Sequence, residues 1–394
     1  MLAYQNVGGL PSASCGADDG NWRPRKGRPA MWHRRNARVL TAGRSSRLRL
    51  GAIVGAALTA CLGLAACSSS GTSGGSNPSA AANSGTTNVG LLLDWTWQPY
   101  HVAFMYGIAH GVYKAHGINL TLTQGQGSST TTTLVGQGKY QFGFADTSTA
   151  VLSQSKGVPI KNVLVIQQRS AFATECWKSV HVTSPAQLKG HSVIMIPSES
   201  TAQIWPAYLA VNHLSAGSIR VVSASVSNKV TLFVAHKADC MAGLLGEDTL
   251  QASLANSGIG APVAWANNGI KLFGYSIITS DSVIQNDPNL VKRFVAATVE
   301  SWHATCANQV ASIALFQKEY PQLSHTAAEK AYNKDNLSTT CAQLQPPVGI
   351  TTTPLGPSSA AQWQSTVATL KKYAGLNSSQ PASAYYTNAF IPHS

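Results

Sequence analysis

Between Leu93 and His101 the chain reads LDWTWQPYH, which gathers a carboxylate, two indoles, a phenol and an imidazole into the eight residues from Asp94 to His101. A strand ending in Asp94-Trp95 offers a flat stacking surface beside a hydrogen-bond acceptor. That pair suits a nitrogen-bearing aromatic ring. Stacking on Trp contributes about 1–3 kcal/mol, by analogy with bases on aromatic platforms, and a carboxylate accepts from a ring amine. The same residues have structural uses: Trp95 and Trp97 can plug a core edge, and Asp94 can cap a helix or pair at a hinge. His101 suits a structural hydrogen bond as well as a ligand contact. Grouped at one strand edge, they favour a cleft wall, with Trp95 as stacking surface, Asp94 as polar anchor and Trp97 as scaffold.

Other chemistry finds less support. The turn Gly125-Gln126-Gly127-Ser128 precedes a helix and could hold an anion or simply cap it, with Ser128 or Ser129 as N-cap. It lacks the P-loop spacing, and no G-x-S-x-G elbow is present, so neither nucleotide hydrolysis nor a serine hydrolase is expected. Seven cysteines occur. Cys176, Cys240, Cys306 and Cys341 form an even set with three possible pairings. Cys176–Cys240 with Cys306–Cys341 is favoured, because each pair then lies inside one lobe. No C-x-x-C spacing points to a metal, and His303 with Cys306 is a single weak pair. No metal or cofactor is expected.

The elements that must position these residues alternate. NVGLLLDW reads as a strand, AFMYGIAHGVYKAHG as a helix closed by Gly117, INLTLTQG as a strand, STTTTLVGQGK as a helix, QFGFAD as a strand, STAVLSQSKG as a helix and PIKNVLVIQQ as a strand. A second set follows, from HSVIMIP through AQIWPAYLAVNHL, IRVVSAS and KVTLFVAHK to ADCMAGLL. This order predicts parallel sheets with helices on both faces, in two lobes whose strand ends face each other across a cleft. After KLFGYSIITS the chain is mostly helical.

Ahead of this lies a leader. Residues 21–49 are Arg-rich, residues 50–66 (LGAIVGAALTACLGLAA) are uncharged, and Cys67 follows. The layout is that of a signal peptide, and L-A-A-C is similar to a bacterial lipobox, which makes Cys67 the expected lipidated residue. Residues 1–66 carry 10 of the 28 Lys and Arg and 2 of the 15 Asp and Glu, so most of the net charge of +13 belongs to the export signal. Nucleic-acid binding is not expected. The expected organisation is leader 1–66, lipidated Cys and Ser/Gly tether 67–87, lobe 1 over 88–175, lobe 2 over 176–274, and a helical return to lobe 1 over 275–394.

The runs GLLLDWTWQPYHVAFMYGIAHGVYKAHGINLTL and QGQGSSTTTTLVGQGKYQFGFADTST, with TSPAQLKGHSV, ADCMAGLLGED, SDSVIQNDPNLVKRFVAATVESW and AYYTNAF, resemble substrate-binding proteins of ABC importers. The group resembled is the one that handles thiamine pyrimidine precursors, with relatives for alkanesulfonate, taurine and nitrate. The resemblance implies a type II periplasmic binding protein: two α/β lobes closing on a small ligand about a hinge. It also implies a monomer on the extracytoplasmic face of the cell membrane, partnered by a permease and an ATPase. Asp94, Trp95 and His101 match the family's D-W…H segment. Glu247 matches an acidic position that usually follows aromatics, where this chain has Leu244 and Leu245. Glu199 and Thr201 on the second lobe, and Thr147 and Ser148 on the first, open helices whose free N–H groups can face the cleft. Tyr275 lies where the chain recrosses between lobes. Enzymatic relatives of this fold use clustered cysteines, which this chain lacks, so catalysis is not expected. A sulfonate, taurine or nitrate ligand, or a sensor without an importer, are the alternatives.

Overall fold

The chain forms β1 (Thr87–Leu92), α1 (Val102–Ala109), α2 (Val112–Ala115), β2 (Ile118–Thr123), α3 (Ser128–Gly136), β3 (Phe142–Asp146), α4 (Thr147–Ser155) and β4 (Ile160–Val165) in close succession. This computed structural model describes residues 86–346 and 352–392. The expected leader, Cys67 and all but the last two residues of the tether fall outside them. β1 begins at Thr87, which the tether was expected to include. The helix expected to run unbroken to Gly117 is instead two, because Gly111 adopts a left-handed conformation (φ 73°) between α1 and α2.

A second series follows: β5 (Phe172–Cys176), β6 (Ser192–Met195), α5 (Ser200–Val211), β7 (Arg220–Ser223), α6 (Lys229–Val234), β8 (Cys240–Leu244), α7 (Asp248–Ala255) and β9 (Val263–Ala264). The chain then returns through β10 (Tyr275–Ser280) to α8 (Asp281–Asn286), α9 (Pro288–Ala307), α10 (Gln309–Glu319), α11 (Ala327–Gln343) and α12 (Ala360–Tyr373). Among the described residues these strands make two five-stranded sheets, ordered β2-β1-β3-β10-β4 and β7-β6-β8-β5-β9. The fold is the α/β architecture of a type II periplasmic binding protein.

The sheets are mixed, not parallel as the sequence suggested. β10 runs antiparallel to β3 and β4, and β5 antiparallel to β8 and β9. Both are the strands by which the chain enters a sheet after crossing from the other one, and a crossing chain arrives from the opposite end. The crossing segments lie side by side: Ser170 N–H donates to the Leu272 carbonyl at 2.8 Å and Gly274 N–H to the Gln167 carbonyl at 2.9 Å. β5 itself was not expected, since Thr174 and Glu175 interrupt its apolar pattern, yet all five of its residues are buried.

The first sheet packs Leu91, Phe142 and Phe144 against Phe104 of α1 and Phe294 and Trp302 of α9. The second packs Val193, Ile204, Tyr208 and Trp265 in one core that also includes Val151, Leu152 and Val165 from the first series and Trp363 and Leu370 of α12. The C-terminal segment expected to return to lobe 1 thus divides: α9 covers the first sheet, while α12 joins the core of the second. Disulfides join Cys176 to Cys240, directly opposite each other on β5 and β8, and Cys306 of α9 to Cys341 of α11.

Candidate ligand-binding site

β1 delivers Asp94 and Trp95 into a backbone frame held by the loop after β2. Gly125 N–H donates to the Trp95 carbonyl at 2.9 Å and Gly127 N–H to the Asp94 carbonyl at 2.8 Å. The Asp94 carboxylate is 2 % exposed. Its Oδ2 accepts from the Tyr100 hydroxyl at 2.9 Å and its Oδ1 lies 2.8 Å from His101 Nε2. His101 Nδ1 accepts from the Gln98 N–H at 3.1 Å, so the proton sits on Nε2, and Nε2–H donates to Asp94. Sharing its lone pairs with two donors, Asp94 is fixed in orientation.

These residues face the second sheet across a narrow cleft. One wall holds Asp94, Trp95, Gly127, Ser128 and Tyr275. The other holds Glu199, Ser200, Thr201, Leu244, Glu247 and Asp248. At the lip, Ser198 Oγ donates to the Gln126 carbonyl at 3.0 Å, and the Ser200 and Ser128 hydroxyls lie 3.3 Å apart.

The electrostatics are dominated by acids. Lys229 of α6 is buried, with Nζ donating to Glu199 Oε2 at 2.6 Å, to Asp248 Oδ2 at 2.8 Å and to the Ala242 carbonyl at 3.2 Å. It also lies 6.0 Å from the centre of the Trp95 ring. Burial works against its charge, but Asp248 and Glu199 outweigh burial and hold the ammonium above its ordinary pKa. Glu247 is 4 % exposed, and its Oε2 has no hydrogen-bond partner among the described residues. Burial, then the charges of Asp248 and Asp94, push its carboxyl well above the ordinary range. Burial first, then the charges of Asp94 and Glu247, raise the Tyr100 and Tyr275 hydroxyls. Among the described residues no group of three or more His, Cys, Asp or Glu is placed to hold a metal ion.

Of the site residues expected from sequence, the cleft brings together Asp94, Trp95, Glu199, Thr201, Glu247 and Tyr275. It excludes three. His101 is fully buried behind Asp94 and orients it. Thr147 is turned to the hinge, its Oγ1 donating to the Gly274 carbonyl at 2.6 Å, and Ser148 is fully buried beside it. The first turn of α4 is capped by Asp146, which accepts from the Thr149 N–H at 2.8 Å and is raised to about 7 by burial. Ser128 lines the cleft, but the N-cap of α3 is Gly127, and Ser128 Oγ accepts from the Asp146 N–H at 3.1 Å. Trp97 leans on Tyr320 with ring centres 4.9 Å apart, a scaffold contact.

Sequence reasoning missed Asp248 and Lys229. Asp248 adjoins Glu247 and was within reach. A lysine opening KVTLFVAHK reads as a solvated side chain, and only its tertiary partners reveal it as buried.

Riboflavin-binding protein RibY of Chloroflexus aurantiacus is 24 % identical to this chain over 302 residues, 75 % of this chain and 82 % of that protein. Among solved structures, the alkanesulfonate-binding protein SsuA of Xanthomonas axonopodis pv. citri, bound to MOPS, superposes with a TM-score of 0.60 at 17 % identity, covering 77 % of this chain and 98 % of that one. The periplasmic aliphatic sulphonate binding protein SsuA of Escherichia coli gives 0.57 at 14 %, covering 72 % and 86 %. At these identities the superpositions speak to fold. No described helix is long and apolar enough to cross a membrane. The NMT1/THI5 like family model matches residues 98–312, more than half of the sequence, and the chain belongs to that family.

Proposed function

We propose that this protein is the solute-binding component of an ABC importer, tethered to the extracytoplasmic face of the membrane through a lipid on Cys67, and that its cleft takes a thiamine-precursor-like aminopyrimidine for a permease and its ATPase. The observation that carries the ligand class is the charge balance of the cleft. Four carboxyl groups (Asp94, Glu199, Glu247 and Asp248) meet one ammonium, Lys229, beside the Trp95 indole that lines the cleft. A sulfonate or nitrate brought there would meet uncompensated negative charge. A flat ring bearing an amine gains a stacking surface and acceptors together. A flavin is the second reading, supported by the relationship to RibY, and uses the same stack-and-acid chemistry on a larger ring system.

A thermal-shift screen of the chain from Ser68 onward tests the proposal, with aminopyrimidine precursors, thiamine, riboflavin, taurine, alkanesulfonates and nitrate. A bound ligand raises the melting temperature by mass action. The expected result is a shift with an aminopyrimidine that Trp95→Ala abolishes. A shift with riboflavin alone selects the second reading. Shifts confined to sulfonates or nitrate overturn the ligand assignment.

A further inference from the structure

Of the carboxyl groups lining the cleft, Glu247 is the one with a buried oxygen that has no hydrogen-bond partner among the described residues: it precedes α7, lines the cavity, and leaves Oε2 unpaired. A buried carboxylate oxygen with no donor costs several kcal/mol of lost hydration, whereas a protonated carboxyl needs an acceptor for its O–H. The charged and titratable groups facing it are Asp94 after β1, Glu199 capping α5, Lys229 on α6 and Asp248 opening α7. The phenols of Tyr100, Tyr275 on β10 and Tyr332 on α11 also face it, and His101 stands behind Asp94. Among the described residues Lys229 is the one cation in direct reach, and it is already bonded to both Glu199 and Asp248. Three acids therefore surround Glu247 with no free positive charge to offset a fourth.

We propose that Glu247 is a specificity-determining residue that meets the ligand as a neutral acid, its O–H donating to a ring nitrogen while an ionised neighbour accepts from the adjacent exocyclic amine. This rests on the aminopyrimidine reading and adds the direction of each hydrogen bond. The donor–acceptor pair so formed matches a ring nitrogen beside an amine and mismatches a ring N–H beside a carbonyl. The cleft thereby selects an aminopyrimidine over the corresponding oxopyrimidine. Below the pKa of Glu247 no proton leaves or enters solution on binding, because the free acid and the complex hold the same number.

The consequence for pH has a definite sign. Burial and its acidic neighbours raise the pKa of Glu247, so the donor is present below that pKa and is lost as pH rises through it. Binding of 4-amino-5-hydroxymethyl-2-methylpyrimidine, measured by calorimetry across neutral and alkaline pH, is expected to weaken about tenfold per unit above that point. Glu247→Gln supplies an N–H donor at the same place without a titration. It is expected to bind within about fivefold of wild type at neutral pH and to stay flat in alkali, while Glu247→Ala weakens binding by about thirtyfold or more. Infrared spectra of the ligand-free protein are expected to show a protonated-carboxyl carbonyl band that Glu247→Gln removes, which reports on the acid whatever the ligand. If wild type binds the pyrimidine but Glu247→Gln loses binding as Glu247→Ala does, if affinity is unchanged or rises into alkali, or if the infrared band is missing, the neutral-acid role is overturned and the ligand reading stands. If no aminopyrimidine binds wild type, both are overturned.

Discussion

Lys229 carries the most energetic consequence of any single side chain in the cleft. It stands between Glu199 and Asp248 with both contacts under 3 Å, almost fully buried, and so converts two carboxylates that would repel into a bonded triad. Removing one member of a buried ion pair costs about 3–5 kcal/mol, because the partner charge is left dry and unpaired. Lys229→Met keeps the length of the side chain and leaves two such charges. Chemical denaturation at neutral pH is expected to show a loss of at least that size. The deficit is expected to shrink as pH falls, since the stranded acids then take up protons, and a deficit independent of pH would show that lost packing, not charge, is responsible. Trp95 acts at the same scale. Its ring lines the cleft but is itself buried, so Trp95→Ala should lose ligand binding, read by calorimetry, and lower the melting temperature as well. The residue types at Asp94 and Trp95 were legible because they cluster at a strand end. Lys229 was not, because nothing local distinguishes a buried lysine from a solvated one.

At the scale of elements, α3 and α5 meet end to end across the lip of the cleft. Gly127, which caps α3, has φ 110°, and a Cβ there would stand 2.6 Å from the Ser198 carbonyl just ahead of α5. Gly127→Ala is therefore expected to prop the lip open and weaken ligand binding about tenfold or more, beyond a backbone strain of about 1–3 kcal/mol. Gly111→Ala provides the control. Gly111 also has positive φ, yet nothing lies within 4 Å of the added Cβ, so it should share the loss of melting temperature and leave affinity intact. Equal affinity losses in both would remove the steric account. The alternation of strands and helices was legible because apolar periods of two and of three to four are local. The direction of β5 and β10 was not, because the path of the chain between sheets decides it. The docking of α12 was equally hidden: its apolar stripe fits either lobe, and Trp363 chooses by meeting Phe273, with ring centres 4.9 Å apart.

Across the whole molecule, the two sheets are joined far more strongly on one side than on the other. On the hinge side they share one apolar core, running from Val151 and Val165 through Phe172 and Trp265 to Trp363. Gln362 Nε2 of α12 donates to the Gln168 carbonyl at 2.8 Å, and Gln168 N–H to the Gln343 carbonyl at the end of α11 at 2.9 Å, so both C-terminal helices clasp the first crossing. On the cleft side the links are polar contacts such as those from Ser198 Oγ to the Gln126 carbonyl and from Asn336 Nδ2 of α11 to the Gly246 carbonyl, each contributing about 1 kcal/mol. Opening the lip thus requires breaking little, while separating the lobes at the hinge exposes a continuous core. Neither lobe is a contiguous stretch of chain, and all described residues belong to a single compact unit within Asn77–Ser394. Two independently folding lobes would give two calorimetric transitions, as multidomain chains commonly do. A shared core instead predicts one, with the van't Hoff and calorimetric enthalpies of unfolding in agreement and with ligand moving the whole transition upward. Two resolved transitions, only one of them shifted by ligand, would mean that the hinge core is too weak to couple the lobes and that the clamp opens by partial unfolding.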